Sequence, residues 1–142
     1  MIVQTLLWVL LPAVWAGVSL AGNLVAAPAK FRVEALSLPV ALQVGRAQFA
    51  WIGRVEWALL AAVLLTVLLD FRMPPILLEV AGVIFLAQQF WLQPMLRTRS
   101  NLIIAGQDGQ GGRLHLIFTL LELVKFLSLL AAATTSLWEL IK

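Results

Sequence analysis

Residues 2–32 read IVQTLLWVLLPAVWAGVSLAGNLVAAPAKFR. The stretch is predominantly apolar as far as Ala29 and then ends in two cations, Lys30 and Arg32. A helix needs about 20 consecutive apolar residues to cross a hydrocarbon core that is roughly 30 Å thick. The stretch is long enough, and it therefore predicts a membrane-spanning helix that ends at a charged boundary.

Three further runs of this kind follow, and the whole sequence is strongly apolar. Hydrophobic residues make up 62% of the 142 residues, and the mean hydropathy is +0.98. Soluble domains are only about half apolar. The sequence therefore predicts an all-α integral membrane protein, a single transmembrane domain built as a four-helix bundle. The helices are predicted at about residues 2–27, 38–70, 75–96 and 114–141.

Little chain lies outside these runs, which excludes a soluble catalytic domain of any size. The sequence has no cysteine, and this excludes disulfides, thiolate metal sites and thiol nucleophiles. A net charge of +3 is typical of membrane boundaries, so we expect no nucleic-acid partner. GQDGQGG, residues 106–112, lacks the Gly-Lys-Ser/Thr ending of a phosphate-binding loop. These features favour a protein without a cofactor and without enzymatic activity.

Basic residues predict the orientation, because cytoplasmic loops of membrane proteins carry an excess of Lys and Arg. The loops after the first and third spans are basic, whereas the opposite side carries only Arg72 and Lys142. Both termini are therefore expected outside, in the periplasm of a bacterium whose inner membrane holds the chain. The first run lacks a positive start, so a retained helix is favoured over a cleaved signal peptide. The expected cytoplasmic anchors are Lys30, Arg32, Arg46, Arg54, Arg97, Arg99 and Arg113.

The first span carries small residues at four-residue spacing, Ala13, Gly17 and Ala21. Such a ridge lets a second helix approach the backbone closely. The alternative is that Ala and Gly are simply common in membrane helices. Pro28 is predicted to stop or bend this helix, since a proline removes a hydrogen bond and its ring clashes with the preceding turn.

Two features predict the remaining boundaries. Ser37 followed by Pro39 is typical of a helix start, so the second helix is predicted to begin near Leu38. RTRSNLIIAGQDGQGGR, residues 97–113, is predicted to be a flexible loop because it is polar and contains four glycines.

An offset of 66 residues superposes uncommon residue types of the two halves, which predicts a duplicated helical hairpin with parallel repeats. Overall identity at this offset is low, so chance remains the alternative. The matching pairs are Asn23 with Gln89, Pro28 with Pro94, Gly45 with Gly111, and Glu56 with Glu122.

Ionisable residues inside spans are costly and are functional candidates by default. Glu122 and Lys125 are three residues apart on one helix and can pair directly. Arg54 and Glu56 point about 200° apart, so Glu56 needs a partner from another helix. Lys125 is the expected partner. The alternatives are a charge cluster that only neutralises itself and a site that exchanges protons.

Four other polar residues are weaker candidates. Asn23 and Gln89 are expected to flank the same region, either as part of a site or as hydrogen bonds between helices. Glu79 lies about one turn inside the third span. His115 is the only histidine and a weak candidate for a haem or metal, because both favour several nitrogen or sulfur ligands.

The segment from Gly22 to Trp57 contains GNLVAAPAKF and VGRAQFAWIGRVEW. It resembles a family of small four-span membrane proteins of unknown function with transmembrane-protein-205-like relatives. In these, a first helix ends in a Gly-x(n)-Ala-Pro-x-x-Phe motif and a second begins after Gly-Arg-x-x-Phe. It is more distantly similar to copper-resistance protein D and to HemJ-type protoporphyrinogen oxidases. The resemblance implies a four-helix inner-membrane protein without an established activity. HemJ-type proteins use a histidine in the first helix, and this chain has none there.

Three functions follow as hypotheses. The first is a structural or accessory subunit that lies in the lipid bilayer and assembles with itself or with other membrane protein subunits. The second is a small proton-coupled transporter or permease that uses Glu56 and Glu122, with Lys125 as counter-charge. The third is haem-pathway or copper handling at His115.

Overall fold

The computed structural model of the protein describes residues 2–70, 73–109 and 112–142. Two residues with predicted roles, Arg72 on the outer side and Gly111 in the repeat, lie outside the described residues. Four helices in the described part are long and apolar enough to cross a membrane, as the all-α four-helix prediction requires. Helix 1 covers residues 2–32, helix 2 Leu38–Asp70, helix 3 residues 76–104 and helix 4 Gly112–Ile141.

Helix 1 continues through Pro28 to Arg32, so it does not stop at the proline and runs past the predicted boundary near residue 27. It is α-helical over Ile2–Val18, a π-helix over Ser19–Ala26, α-helical over Ala27–Ala29 and 3-10 helical over Lys30–Arg32. A wide π turn shifts the backbone hydrogen bonds directly before the proline. Pro28 then occupies the first turn of the next α segment, where its missing N–H costs nothing.

Helix 3 has the same construction and also runs further than predicted. Its π segment, Gln88–Leu92, lies between α-helical Ile76–Ala87 and Gln93–Ile104, with Pro94 in the first turn of the latter. Residues 97–104 are therefore helical and not part of a flexible loop. The predicted helix ends where its apolar run ends. The helical backbone can continue beyond the apolar run because polar side chains suit the membrane boundary.

Helix 3 ends in a glycine cap. Gly106 has a φ of +76°, which places it in the left-handed region, and its N–H donates to the carbonyl of Ile103 at 3.1 Å. The N–H of Gln107 donates to the carbonyl of Leu102 at 2.9 Å. These two bonds form a Schellman motif, which satisfies carbonyls that would otherwise lack donors.

The two π segments end at Ala26 and Leu92, which are 66 residues apart. This distance equals the offset of the predicted repeat, and a proline follows two residues after each segment. The two halves thus share a backbone irregularity as well as uncommon residue types, and this supports the repeat hypothesis.

Consecutive helices run antiparallel, so both chain termini lie at one end of the bundle, here called the terminal end. The opposite end, which contains Arg32 and Ile104, is called the basic end. Helix 4 packs mainly against helices 1 and 3, and helix 2 packs mainly against helix 1. The apolar core fills the terminal half, where the ring of Trp15 meets that of Phe85 edge to face at 5.6 Å. It consists of Trp8, Trp15, Ala16, Val63, Leu78, Ala81, Phe85, Leu129 and Ala132.

Candidate functional site

Three charged side chains meet in the middle of the bundle. The Lys125 ammonium lies 2.5 Å from Glu56 Oε1 of helix 2 and 3.0 Å from Glu122 Oε2 of its own helix. Their exposed fractions are 0% for Lys125, 2% for Glu56 and 0% for Glu122. We call these three residues the charge centre. The structure brings together the residues that the sequence predicted as partners, and it excludes solvent from them.

Helix 3 contributes Gln88, which lies between the Lys125 ammonium and the Glu122 carboxylate. Its Oε1 accepts a hydrogen bond from Lys125 Nζ at 3.1 Å, and its Nε2 donates to Glu122 Oε2 at 2.9 Å. The sequence predicts that Gln89, together with Asn23, flanks this region. In the structure the amide of Gln89 lies beside Gly53 of helix 2, and Gln88 is the residue of helix 3 that contacts the charge centre.

A sequence signal for Gln88 exists in the spacing of helix 3. Leu78, Ala81, Phe85 and Leu92 are buried at alternating steps of three and four residues, and Gln88 falls in phase with them. A residue in such a stripe faces the bundle interior. A lone polar residue in that stripe therefore indicates a buried polar contact.

Helix 1 contributes three donors. Trp15 Nε1 donates to Glu56 Oε1 at 3.0 Å. Ser19 Oγ and Asn23 Nδ2 donate to Glu122 Oε1 at 2.5 Å and 2.9 Å. Of these three donors, only Asn23 is among the residues predicted from the sequence. The three donors are spaced four residues apart, and this regular polar stripe is a signal that could have identified the other two.

The charge centre holds two carboxylates and one ammonium, so its formal charge is −1 when all three are ionised. Buried ions need both a counter-charge and hydrogen bonds to offset their lost hydration. Each helix supplies at least one such partner here, but only one positive charge is present among the three ionisable groups. One bound proton would make the centre neutral. The arrangement is therefore able to hold a proton on one of its carboxyl groups.

A pocket of about 360 Å³ opens at the basic end of the bundle. We call it the basic pocket and define it by Lys30, Gly45, Arg46, Phe49, Arg99 and His115. Three of the predicted cytoplasmic anchors thus line one cavity.

An aromatic contact separates the basic pocket from the charge centre. The rings of Phe49 and Phe118 meet edge to face at 5.3 Å. Phe49 lines the pocket, and Phe118 is buried one helical turn from Glu122. Along helix 4 the order is therefore His115 in the pocket, Phe118 in the aromatic contact and Glu122 in the charge centre.

The other predicted basic anchors lie on the outer surface. Arg32, Arg97 and Arg113 are exposed. Arg54 is also exposed, and its guanidinium lies 4.6 Å from the ring centre of Trp51. These side chains can reach lipid headgroups along the bundle surface, as snorkelling residues do.

Glu79 and His115 lie away from the charge centre. Glu79 is half-buried in the first turn of helix 3, at the terminal end, where the helix dipole favours a carboxylate. His115 lines the basic pocket together with Lys30 and Arg99. Cationic neighbours disfavour the binding of a copper ion, so this position gives no support to copper handling.

The ridge of small residues on helix 1 is not used inside the bundle. Ala13, Gly17 and Ala21 are exposed, and a Cβ added at Gly17 would meet no atom within 4 Å. The buried face of helix 1 is the neighbouring one, which carries the three donors of the charge centre.

Comparison of the chain with known protein families, curated proteins and solved structures finds no match. Function is therefore inferred from the geometry of the site.

Proposed function

We propose that this protein is a small proton-coupled membrane carrier whose charge centre binds and releases one proton. The observation that carries the proposal is that two buried carboxylates share a single ammonium group. Ionisable side chains inside a membrane are expensive, and they commonly mark ion and proton pathways. A cluster with one surplus carboxylate is suited to exchange a proton rather than only to hold helices together.

The surroundings of the Glu122 carboxyl group can accommodate a proton. Its Oε1 already lies next to the Ser19 hydroxyl and the Asn23 amide. A protonated Oε1 would donate rather than accept, and a hydroxyl can serve as either donor or acceptor. Asn23 Oδ1 is buried and has no hydrogen-bond donor among the described residues. Asn23 now faces Glu122 with its Nδ2, and a flip of the amide would turn Oδ1 toward the added proton as an acceptor.

The packing of the bundle favours access to the charge centre from one end. At the terminal end, an open pocket beside Pro75 and Thr134 lies beyond the apolar core, and this core separates it from the charge centre. In the other half, the basic pocket reaches Phe49, which contacts Phe118. Along helix 4, the Phe49–Phe118 contact lies between that pocket and Glu122. Movement of these two rings would connect the pocket with the charge centre.

The proposal places the protein in a bacterial inner membrane, with the basic end in the cytoplasm and both termini in the periplasm. Arg and Lys residues concentrated at one end support this orientation. Membership of the small four-span family that residues 22–57 resemble is part of the same proposal.

Infrared difference spectroscopy of the lipid-embedded protein across its folded pH range tests the proposal. We expect the wild type to show the carbonyl band of a buried carboxyl group that gains a proton. Glu122→Gln should lose or shift this band, whereas Glu79→Gln, which changes a carboxyl group outside the charge centre, should retain it. Absence of such a band in the wild type, or its persistence unchanged in both Glu122→Gln and Glu56→Gln, would refute the proposal.

Proton movement provides the second measurement. In proteoliposomes that contain a pH-sensitive dye, we expect wild-type protein to dissipate an imposed pH gradient faster than Glu122→Gln does. Glu79→Gln again serves as the matched control and should behave like the wild type. Equal rates for wild type and Glu122→Gln would contradict a role of the charge centre in proton transfer.

A second candidate function is assembly into an oligomer or a larger membrane complex. The exposed ridge of Ala13, Gly17 and Ala21 favours it, because small residues let helices pack closely in lipid. We expect Gly17→Leu to reduce oligomer formation in native gels, and Ala61→Leu, at another exposed alanine, to leave it unchanged. Identical migration of wild type and Gly17→Leu would count against this face.

A further inference from the structure

The basic pocket combines a cationic lining with apolar walls. Lys30, Arg46 and Arg99 come from helices 1, 2 and 3, and His115 comes from helix 4. No Asp or Glu belongs to the lining within residues 2–70, 73–109 and 112–142. The pocket therefore presents three positive charges without a carboxylate in its wall.

The hydrogen bonds of these cations leave their charges uncompensated. Lys30 Nζ donates to Gln48 Oε1 at 3.2 Å, and Arg99 Nε donates to the carbonyl of Gly109 at 2.9 Å. Arg46 donates to the side-chain oxygen of Asn101. All three acceptors are neutral oxygens, so an anion would still gain from the charge of each cation.

Lys30 is the most deeply placed of the three cations. It is only 8% exposed, and its ammonium lies 5.2 Å from the ring centres of both Phe31 and Phe49. A Cβ at Gly45 would come within 2.6 Å of Lys30 Nζ, so the glycine gives this ammonium its room. A buried cation without an anionic partner is costly unless a ligand supplies one.

The apolar part of the lining determines what kind of anion fits. Phe31, Leu38, Leu42, Leu96 and Ile103 line the same cavity as the cations. At about 360 Å³, the pocket is within the roughly 300–1,000 Å³ typical of small-molecule sites. A free inorganic anion would use only the cations, whereas an amphiphile with a phosphate group and a hydrocarbon chain would use both parts.

We infer that the basic pocket binds one anionic phospholipid. Its phosphate lies among Lys30, Arg46 and Arg99, and part of an acyl chain lies against the apolar wall. The site lies where helices leave the apolar span, which is where phosphates of a bilayer are found. Guanidinium groups bind phosphate oxygens through paired hydrogen bonds, and basic pockets between membrane helices are suited to lipid headgroups. The inference is independent of the proposed carrier function, because it concerns a separate site and requires no proton exchange.

Native mass spectrometry of the purified full-length protein in detergent tests the inference. The probes are phosphatidylglycerol, phosphatidylcholine with the same acyl chains, and glycerol 3-phosphate. We expect one phosphatidylglycerol to bind in preference to phosphatidylcholine, and glycerol 3-phosphate to bind far more weakly. Equal binding of the two lipids would refute the role of the cations. Binding of glycerol 3-phosphate as tight as that of phosphatidylglycerol would refute the amphiphile and indicate a site for a soluble phosphate.

A matched pair of double variants locates the site. Arg46→Gln with Arg99→Gln removes two cations from the pocket, and Arg54→Gln with Arg97→Gln removes two exposed cations from the same helices. A cation near a lipid surface contributes about fivefold to binding, so we expect the first variant to lose about 25-fold in affinity. The second should lose much less. Equal losses in the two variants would refute the location.

A third variant guards against a change in folding. Ser100→Glu adds a carboxylate to the pocket wall without removing a cation and should also weaken phosphatidylglycerol binding. Circular dichroism and elution volume report whether each variant is folded. Unchanged binding in folded Ser100→Glu protein, together with unchanged binding in the Arg46/Arg99 variant, would overturn the inference.

Discussion

Replacement of Lys125 by methionine tests the energetics of the charge centre. The substitution keeps a long unbranched side chain but removes an ammonium that contacts Glu56, Glu122 and Gln88 at 2.5, 3.0 and 3.1 Å. Compared with the wild type, one more buried carboxylate is left without a positive partner. Breaking a buried ion pair on one side typically costs about 3–5 kcal/mol.

The loss of stability can also be estimated from the protonation of the carboxylate that loses its positive partner. A glutamate with an ordinary pKa of about 4.3 costs about 3.7 kcal/mol to protonate at pH 7, at 1.36 kcal/mol per pH unit. At pH 5 the same step costs only about 1 kcal/mol. The folded variant binds one more proton than the folded wild type, whereas the two unfolded chains bind equally many at the glutamates, so the difference in stability shrinks as the pH falls. We expect the deficit of Lys125→Met to shrink by about 2.7 kcal/mol between pH 7 and pH 5.

Reversible unfolding in mixed detergent micelles, followed by tryptophan fluorescence, measures this deficit. Lys142→Met is the matched control, since Lys142 forms an exposed pair with Glu139 at 3.2 Å. We expect the control to change stability by no more than about 0.5 kcal/mol. The reasoning fails if both variants lose equally little, or if the Lys125→Met deficit is the same at both pH values.

Two further predictions use the same measurement of unfolding in mixed micelles. Trp15→Phe removes the donor to Glu56 Oε1 and should lower the free energy of unfolding by about 1.5–3 kcal/mol. Trp57→Phe, at a side chain that is 40% exposed, should lower it less. Equal losses of stability in the two variants would contradict the importance of this hydrogen bond. Gly106→Ala should lower the free energy of unfolding by about 1 kcal/mol, because the φ of Gly106 is +76°. Gly112→Ala should change it little, because a Cβ at Gly112 meets no neighbour within 4 Å. Unchanged stability of Gly106→Ala would argue against the glycine cap.

The fold class could be predicted because it depends on long apolar runs, which can be recognised in the sequence whatever the packing of the helices. The pairing of Glu56 with Lys125 could also be predicted. A buried carboxylate must find a partner, and Arg54 points away from it on a regular helix. Both inferences depend on one helix at a time, together with the strong cost of isolated charges in lipid.

The contacts and boundaries that were not predicted have different causes. The choice between Gln88 and Gln89 requires the phase of helix 3, and a span that is apolar on every face does not show which of its stripes is buried. The continuation of helix 1 past Pro28 has another cause, because the wide π turn before the proline removes the conflict that normally ends a helix. Propensity rules for α-helices do not include this compensation.

The two π segments also act on the rotation of the helices. A π turn accommodates one residue more than an α turn, and each residue of an α-helix turns the chain by about 100°. Deleting one residue within Ser19–Ala26 would therefore restore a continuous α-helix and rotate Lys30 by about 100° relative to Trp15. The equivalent deletion within Gln88–Leu92 would turn Arg99 relative to Phe85. The extra residue in each helix thus sets the rotation of the cations of the basic pocket relative to the side chains packed in the terminal half.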